Sequence, residues 1–365
     1  MTKNITAALK KYKAQVTTPE QAGDVTRHVL DSPELNYNFG GGAPLGRIVE
    51  LFGPESGGKS VLAWHIAGQI QQREEQNFVV ILDFERTFKA DYARTAGLDL
   101  SEDKLLILHP FTGEEGFQMV EDLMKTGDVG CVIVDSLASV PNARAMDSDF
   151  GKGFSGSAAL ISNAMIKLNP YIHHHKVLWI NINQIRDDIG GFSPAGGTPT
   201  KTPGGHAPKF YASWRARVTR TQDIKSKGIV IGNGIKVRNV KNKVGPPKRV
   251  SELVLYYDKG FDPLDEYVNF ITNADFDLST VRGAWIYGND GTVLEGEKWQ
   301  GRAALREWLL KWPGALEQCK TQIVDKFEKR LASDEAEDDE ESLDEEVTEE
   351  PDDWETFAAN PTAEE

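Results

Sequence analysis

Eight consecutive residues, Gly53-Pro54-Glu55-Ser56-Gly57-Gly58-Lys59-Ser60, fit the spacing G-x-x-x-x-G-K-[ST] at every fixed position. The chemistry open to such a loop is to hold a run of phosphates. Glycines let backbone N–H groups turn toward phosphate oxygens, and the helix N-terminus behind them adds positive potential. Lys59 would reach the β- and γ-phosphates and the Ser60 hydroxyl would bind Mg²⁺, with Val61 completing the expected nucleotide-binding set. The flanks agree: Arg47-Ile48-Val49-Glu50-Leu51-Phe52 reads as a buried strand, and residues 60–67 read as the start of a helix. An ordinary Gly-rich strand–helix turn is the plainer alternative. The flanking pattern favours a site for a nucleoside triphosphate.

Two further carboxylates could belong to that site. Cys131-Val132-Ile133-Val134-Asp135-Ser136 is an apolar strand ending in Asp, which puts Asp135 at the C-terminal edge of a sheet, where Mg²⁺ would lie. Buried strands often end in Asp at a turn. Its place about two βα units after the phosphate loop is what gives it meaning. Glu85 ends Val79-Val80-Ile81-Leu82-Asp83-Phe84-Glu85, and is expected at the tip of the strand next to the phosphate loop. There it could orient and deprotonate an attacking water, the plainer reading being a capping or surface Glu. His173-His174-His175 carries no such chemistry, because adjacent imidazoles at a helix end do not converge on one ion and no carboxylate stands at a ligand spacing.

The elements that must position these groups alternate along the chain. Phe78–Phe84, Leu105–Leu108, Gly130–Val134 and Val177–Ile182 are continuous apolar runs separated by helical stretches. Strands apolar throughout are buried on both faces, which predicts an α/β fold with a mostly parallel sheet flanked by helices. From about Arg215 to Tyr257 the pattern turns β-rich without helices. From about Pro263 to Leu331 a small α/β region has a turn at Asn289-Asp290-Gly291 and a helix over Gly301 to Lys311. Residues 1–18 hold a short amphipathic helix with Ile5, Leu9, Tyr12 and Val16 on one face, too short to stand without a surface to dock on. The expected division is 1–33, an N-terminal helix and linker; 34–262, the main domain; 263–331, a small C-terminal domain; and 332–365, a tail.

Composition narrows the setting. The two cysteines, Cys131 and Cys319, cannot make a disulfide framework and suit a reducing compartment. No apolar run approaches the ~20 residues that span a bilayer, and the N-terminus lacks the apolar core of a signal peptide, so a cytoplasmic protein without membrane association is expected. The net charge of −15 is carried by the tail: residues 334–365 contain 17 acidic residues and no Lys or Arg. Removing those 17 from the 56 acidic residues leaves 39 against 41 Lys and Arg, so the rest is slightly basic. Such a block repels itself and is expected to be disordered. Its role is either solubility or competition with nucleic acid for a basic surface of the same protein.

Residues 186–205 are rich in Gly, Pro and Thr, too irregular for helix or strand, and loops this long inside a compact domain are usually functional or disordered; a functional loop is expected here. Residues 146–156 form a similar Gly-rich stretch carrying Phe150 and Phe154. Glycine N–H groups, including those of Gly204 and Gly205, can contact phosphates, Phe154 belongs to the same surface, Ile189 can wedge between bases, and Arg186 is the clearest cation.

Taken together, the segments 51–60, Asp91-Tyr92-Ala93-Arg94, Val134-Asp135-Ser136, Ile182-Asn183-Gln184-Ile185-Arg186, Lys209-Phe210-Tyr211-Ala212-Ser213, Val240-Lys241-Asn242-Lys243 and Gly283-Ala284-Trp285 resemble the RecA family of homologous-recombination ATPases. The matches run in order from about Leu45 to about Leu331 and are closest to bacterial members. Shortened, divergent segments and the acidic tail would also suit a phage recombinase of that kind. The resemblance implies that Glu85 is the water-activating base and that Gln184 senses the γ-phosphate and relays it to a DNA-binding loop. It implies that Asp135 holds Mg²⁺ through water and that Tyr92 stacks on adenine, with Lys89 where the family has Asp. Lys241 and Lys243 resemble a pair that reaches across a subunit interface to a neighbour's ATP, acting as an arginine finger does. Lys209, Phe210 and Arg215 resemble residues coupling neighbouring subunits.

The implied function is an ATP-dependent recombinase that polymerises on single-stranded DNA as a helical homo-oligomer. It would hydrolyse ATP in a DNA-dependent way and exchange strands with a homologous duplex, working with single-strand-binding and mediator proteins. A hexameric helicase motor on the same core is the alternative; a monomeric small-molecule kinase would need an acceptor pocket and lid. Some positions depart from the family. Leu160 and Ile166 stand where bacterial members carry DNA-contacting arginines, and Asp187 and Asp188 replace loop residues that include a Lys, which should flatten the salt dependence of DNA binding unless Lys152 and Lys201 compensate. Lys298, Arg302, Arg306 and Lys311 read as a solvated helix face. The resemblance makes that face, and Lys298 and Arg302 in particular, a guide for duplex DNA.

Overall fold

The structure, a computed structural model, describes residues 25–146, 156–187 and 200–326. The N-terminal helix expected over 1–18, Phe150, Lys152, Phe154, Asp188, Ile189 and the acidic tail all lie outside the described residues.

The described chain opens with strand β1 (Arg27–His28), helix α1 (Pro33–Phe39) and strand β2 (Ala43–Pro44), β1 pairing with β2. Ser32 caps α1 by accepting from the Leu35 N–H, Pro33 occupies its first turn, and Gly40 ends it in the left-handed region at φ 84°. An α/β alternation follows: β3 (Ile48–Gly53), α2 (Lys59–Ile70), β4 (Phe78–Asp83), α3 (Ala90–Thr95), β5 (Leu105–Leu108), α4 (Gly113–Met124) and β6 (Val129–Asp135). The short α5 (Ala143–Met146) and long α6 (Ser157–His174) lead into β7 (Leu178–Gln184). Next come β8 (Arg186–Asp187), β9 (Thr200–Lys201) and α7 (Ala207–Tyr211), then the long hairpin of β10 (Trp214–Ser226) and β11 (Ile229–Asn242), β12 (Val250–Tyr256) and β13 (Gly260–Phe261).

Nine of these strands form one sheet in the order β13-β12-β11-β10-β3-β7-β6-β4-β5. From β10 to β5 every pairing is parallel, and from β10 to β13 every pairing is antiparallel. The parallel half is apolar on both sides, as its sequence predicts. Val79, Ile81, Cys131 and Ile133 face the layer containing α2, whereas Val80, Leu82, Val132 and Val134 face the layer of α4 and α6. On the antiparallel side Trp214, Ala216 and Val218 alternate inward, and Trp214 packs on Phe39 of α1 with ring centres 4.4 Å apart. One expectation about order fails. Glu85 follows β4, which is not next to the strand of the phosphate loop: β7 and β6 lie between β3 and β4. The crossover places later strands between earlier ones, which sequence adjacency cannot show.

Residues 263–326 carry a third apolar cluster. Helix α8 (Pro263–Thr272), the three-stranded sheet of β14 (Ser279–Arg282), β15 (Trp285–Gly288) and β16 (Lys298–Gln300), helix α9 (Gly301–Lys311) and a helix over 313–326 enclose Phe270, Ile271, Ile286, Trp299, Leu305 and Leu309. Gly283 at φ 60° forms part of the two-residue turn between β14 and β15, and Gly291 at φ 76° lies in the expected 289–291 turn.

Both cysteines are free and buried. Among the described residues no helix is long and apolar enough to cross a membrane. Close packing at the start of β6 gives one stability test. A Cβ on Gly130 of β6 would stand 1.7 Å from the Gln76 carbonyl oxygen. Gly130→Ala is therefore expected to cost about 1–3 kcal/mol and lower the thermal midpoint, measured by calorimetry; an unchanged midpoint would mean the Gln76 turn yields freely.

Candidate nucleotide-hydrolysis site

Parallel pairing brings the C-terminal ends of β3, β7, β6 and β4 to one edge. Gly53 stands opposite Gln184, and Asp83 opposite Asp135. Ligands of open α/β sheets bind outside this edge. Here it opens into a cleft of about 330 Å³ lined by Glu55, Ser56, Lys59, Ser60, Glu85, Asp135, Ser136, Ile182 and Gln184. Most of the residues expected to bind or hydrolyse the triphosphate thus converge.

The phosphate loop turns through Ser56 at φ 55° and Gly58 at φ 88° before α2 begins at Lys59. Gly58 is favoured by its left-handed φ, and a Cβ there would also stand 2.5 Å from Ile235 Cδ1, the tip of that side chain. Lys59 is buried, and its ammonium donates to the loop's own carbonyls, Gly53 at 3.1 Å and Pro54 at 2.6 Å. Burial lowers its pKa, opposed by the carboxylates of Asp135, Glu85 and Glu55. Asp135 is its counterpart. Burial pushes this carboxyl up to about 6, the Ser60 hydroxyl bond pulls it down, and the nearby Glu85 and Asp83 push it further up.

Glu85 is held by three donors. The Ser136 hydroxyl makes a short bond to Oε1, the Ser139 hydroxyl lies at 3.2 Å, and the Gln184 carboxamide at 3.1 Å. The backbone that carries it is fixed as well. Phe84 N–H donates to the Asp135 carbonyl at 2.8 Å, and buried Asp83 accepts from the Thr87 and Phe88 N–H groups at 3.2 and 3.0 Å. The capping or free-surface alternative for Glu85 does not describe these contacts.

The fit to Mg²⁺ rests on the donor set. Ser60 and Asp135 already hydrogen-bond to each other, and the buried carboxylate has a raised pKa that a divalent cation would relieve. Among the described residues there is no group of three or more His, Cys, Asp or Glu placed to cage an ion. A hydroxyl and one carboxylate, with the rest from phosphate and water, are the donors this site offers.

Two neighbouring hollows extend the cleft along the start of α2. One, of about 260 Å³, is lined by residues 56–61 with Asn233 and Leu255. The next, of about 230 Å³, is lined by Val61, Tyr92, Thr95, Leu255, Tyr256 and Tyr257. Tyr92 is exposed and lies under the Lys89 ammonium at 5.6 Å. This aromatic hollow suits a base at the far end of a phosphate chain. Asn233, Leu255, Tyr256 and Tyr257 were not legible as site residues. The signal available was the Tyr256-Tyr257 pair at a strand end, but only the sheet order sets it against α2.

Gln184 ends β7, and the segment after it is not wholly irregular. β8 and β9 pair antiparallel, Arg186 opposite Lys201 and Asp187 opposite Thr200, pinching the base of the loop into a short ribbon. Gly204 and Gly205, at φ 94° and 74°, lie against α6, close to Ile161 and Ala158. On α6, Ile166 is exposed while Leu160 packs on the core.

Lys241 and Lys243 line none of these hollows. Their ammonium groups lie on the carbonyls at the end of α7: Lys241 bonds Lys209 O closely and Phe210 O at 3.3 Å, and Lys243 bonds Phe210 O at 3.4 Å. Burial first, then Lys243 and Arg215, lower Lys241 to about 8. Phe210 is exposed. Arg215, expected among the coupling residues, donates from its guanidinium to the buried Glu50 carboxylate at 2.5 Å. The basic face expected over 298–311 also needs correcting. Lys298 is on β16, not on the helix, with its ammonium 5.7 Å from the Trp285 ring centre. Arg306 is paired with Asp262 and Asp265, and Arg302 bonds Asn269. Acidic partners on α8 and at its start, distant in sequence from α9, take up the Arg306 charge.

Residues 12–262 match the family model of the RecA N-terminal domain. A Protein RecA of Lactobacillus johnsonii is 36% identical over 289 residues, 79% of this chain and 76% of that protein. One from Lactobacillus delbrueckii subsp. bulgaricus is 37% identical over 284 residues, covering 78% and 82%. One from Ruminococcus albus is 34% identical over 305 residues, covering 83% and 73%.

The raised pKa of Asp135 carries a prediction. An acid whose folded pKa lies near 6 rather than 3.8 favours folding only while protonated, so its ionisation costs stability as pH rises from about 4 to 6, and the cost persists at pH 7. Asp135→Asn is expected to stabilise the nucleotide-free protein at pH 7 by roughly 1–2 kcal/mol and to abolish Mg²⁺-dependent turnover. Thermal melts at pH 4 and 7 check it: a gain at pH 7 that vanishes at pH 4 is expected.

Proposed function

This chain belongs to the RecA family, and on that premise we propose how its site works and what surrounds it. The protein is an ATP-dependent DNA recombinase with DNA-dependent ATPase activity, acting in recombination and repair; a helicase of the same core is not favoured. One contact supports the mechanism most directly. The Gln184 carboxamide donates to the Glu85 carboxylate, while the backbone that carries Gln184 runs straight into the ribbon of β8 and β9. A single residue thus meets both the hydrolytic carboxylate and the start of the loop assigned to DNA.

In this reading ATP lies with its base in the Tyr92–Tyr256 hollow and its phosphates over residues 53–60. Lys59 exchanges the carbonyls of Gly53 and Pro54 for β- and γ-phosphate oxygens, restoring the counter-charge that its burial lacks. Ser60 and Asp135 would hold Mg²⁺, which would supply positive charge against the phosphates. Glu85 accepts the proton of the attacking water, its orientation set by Ser136, Ser139 and Gln184. Gln184, drawn toward the γ-phosphate, loosens from Glu85 and shifts the ribbon at Arg186. Lys241 and Lys243, absent from the lining of their own chain's cleft, act on the ATP of an adjacent subunit. Lys209, Phe210 and Arg215 belong to the same contact.

The surroundings follow the family. The subunits form a helical filament on single-stranded DNA, with residues 1–33 docking on the neighbour's core. Residues 263–331 guide duplex DNA, Lys298 and Arg302 on their surface, while 146–156 and 186–205, with Phe154, Ile189, Gly204 and Gly205, contact the bound strand. Single-strand-binding and mediator proteins meet the filament on DNA. Two buried free thiols suit a reducing cytoplasm.

ATP turnover with and without single-stranded DNA, measured beside strand exchange, tests the whole reading, and turnover indifferent to DNA would end it. Glu85→Ala is expected to lower kcat at least about 10²-fold with nucleotide affinity retained, read by fluorescence titration; loss of nucleotide binding would contradict its role as base. Deleting residues 334–365 is expected to tighten duplex binding most at low salt, since the 17 acidic residues then no longer compete for basic surface. Unchanged affinity leaves the tail a solubility role only.

A further inference from the structure

Glu50 sits in the middle of β3, the strand that leads to the phosphate loop, and is fully buried. Its neighbours in sequence are apolar, and nothing in the mechanism above uses it. A lone carboxylate there would be costly, and both its oxygens are taken. Oε1 accepts from Asn183 Nδ2 at 3.0 Å, and Oε2 accepts from Arg215 Nε at 2.5 Å. The guanidinium lies 4.7 Å from the Phe52 ring centre. A buried ion pair seldom adds net stability over an apolar pair of the same volume, so stability alone gives a poor account of it.

What the pair connects gives a better one. Asn183 also donates to the Pro203 carbonyl at 3.0 Å, and its Oδ1 accepts from the Gln184 N–H at 3.0 Å. Gln184 in turn reaches Glu85. On the other side Arg215 is the register partner of Lys241 across the β10–β11 ladder, and Lys241 and Lys243 hold the Phe210 carbonyl. Glu50 is therefore the middle of one path made of hydrogen bonds, an ion pair and the β10–β11 register. It runs from the hydrolytic carboxylate, past the exit of the 186–203 segment, to the edge bearing the lysine pair.

We propose that Glu50 is a positioning residue that couples Gln184, through Asn183, to the Lys241–Lys243 edge, through Arg215. The state of one subunit's ATP site then changes how that subunit presents its lysines to the next. This rests on the roles given above to Gln184 and to the lysine pair. A shift of Gln184 pulls on the Asn183 backbone, the Asn183 amide re-aims Glu50, and the guanidinium follows because the carboxylate that holds it moves. The sheet supplies two strands of rigid backbone between the sites, so small side-chain movements are transmitted, not absorbed.

The test is a double-mutant cycle on the full chain, with single-stranded DNA and varied ATP. Glu50→Gln keeps the volume and removes the charge. It is expected to leave affinity for a fluorescent ATP analogue without DNA within about twofold, to lower DNA-stimulated kcat about tenfold and to bring the Hill coefficient for ATP toward 1. Combined with Lys241→Ala, the double variant should be no more than about twofold worse than the poorer single variant. Losses that multiply, or an unchanged Hill coefficient, would overturn the coupling and leave Glu50 a packing residue. If Glu50→Gln does not melt cooperatively, Arg215→Lys takes its place: it keeps the positive charge but not the Nε donor, and the same loss of cooperativity is expected. A normal Hill coefficient in that variant overturns the proposal. Absence of DNA stimulation in the unsubstituted chain would overturn the underlying reading and the coupling with it, whereas stimulation with multiplying losses overturns the coupling alone.

Discussion

Backbone hydrogen bonds between four parallel strands set the level at which β3, β7, β6 and β4 end, and the chemistry of this protein depends on that register. With Gly53 opposite Gln184 and Asp83 opposite Asp135, a loop, a carboxamide and the carboxylates meet at one edge. A one-residue slip in any strand would turn its terminal side chain to the other face. The apolar residues on both faces of these strands prevent such a slip, because each face has its own helical layer to fill.

The same edge concentrates charge on side chains that are themselves buried. Lys59 and Asp135 are both displaced from their ordinary pKa by burial, in opposite directions, and each is only partly answered by the other. Loop carbonyls hold the lysine, and a serine hydroxyl holds the carboxylate. These are neutral stand-ins for stronger partners. A triphosphate with its cation would supply both missing charges at once, so binding there would relieve an electrostatic imbalance that folding leaves in place. The cleft is open and polar, which suits entry and release.

Residues 263–326 are tied to the sheet beside the aromatic hollow. Tyr256 lines that hollow and donates its hydroxyl to Asp265 of α8 at 3.0 Å. Arg306 of α9 bonds Asp265 and Asp262, and Lys259 closes the group by bonding Asp262 with its ammonium 4.0 Å from the Tyr256 ring centre. A second tie joins Ser32, ahead of α1, to the buried Glu266 at 2.6 Å. Residues 263–326 are thus joined both to the end of β12 and to the start of α1. Some cations that look free for DNA in one dimension are engaged in this fastening.

Much of this was legible from residues alone. Residue spacing identified the phosphate loop, because a loop's phosphate contacts come from its own backbone and need only local sequence. Continuous apolar runs marked the parallel strands, since burial on both faces leaves a period-free pattern. Asp135 and Glu85 were legible as strand-end carboxylates. Their partners were not. That β7 and β6 separate β3 from β4, that Ser136 and Ser139 hold Glu85, and that Tyr256 faces Tyr92 all depend on strand order, which crossover connections set without any local mark. Glu50 shows the limit most clearly, for in sequence it is one polar residue in an apolar run. Sequence alone determined which chemistry the chain can do, because phosphate binding needs a fixed local pattern. Only the tertiary structure decided which charges are free to do it, because pairing in the interior joins residues as distant as Glu50 and Arg215.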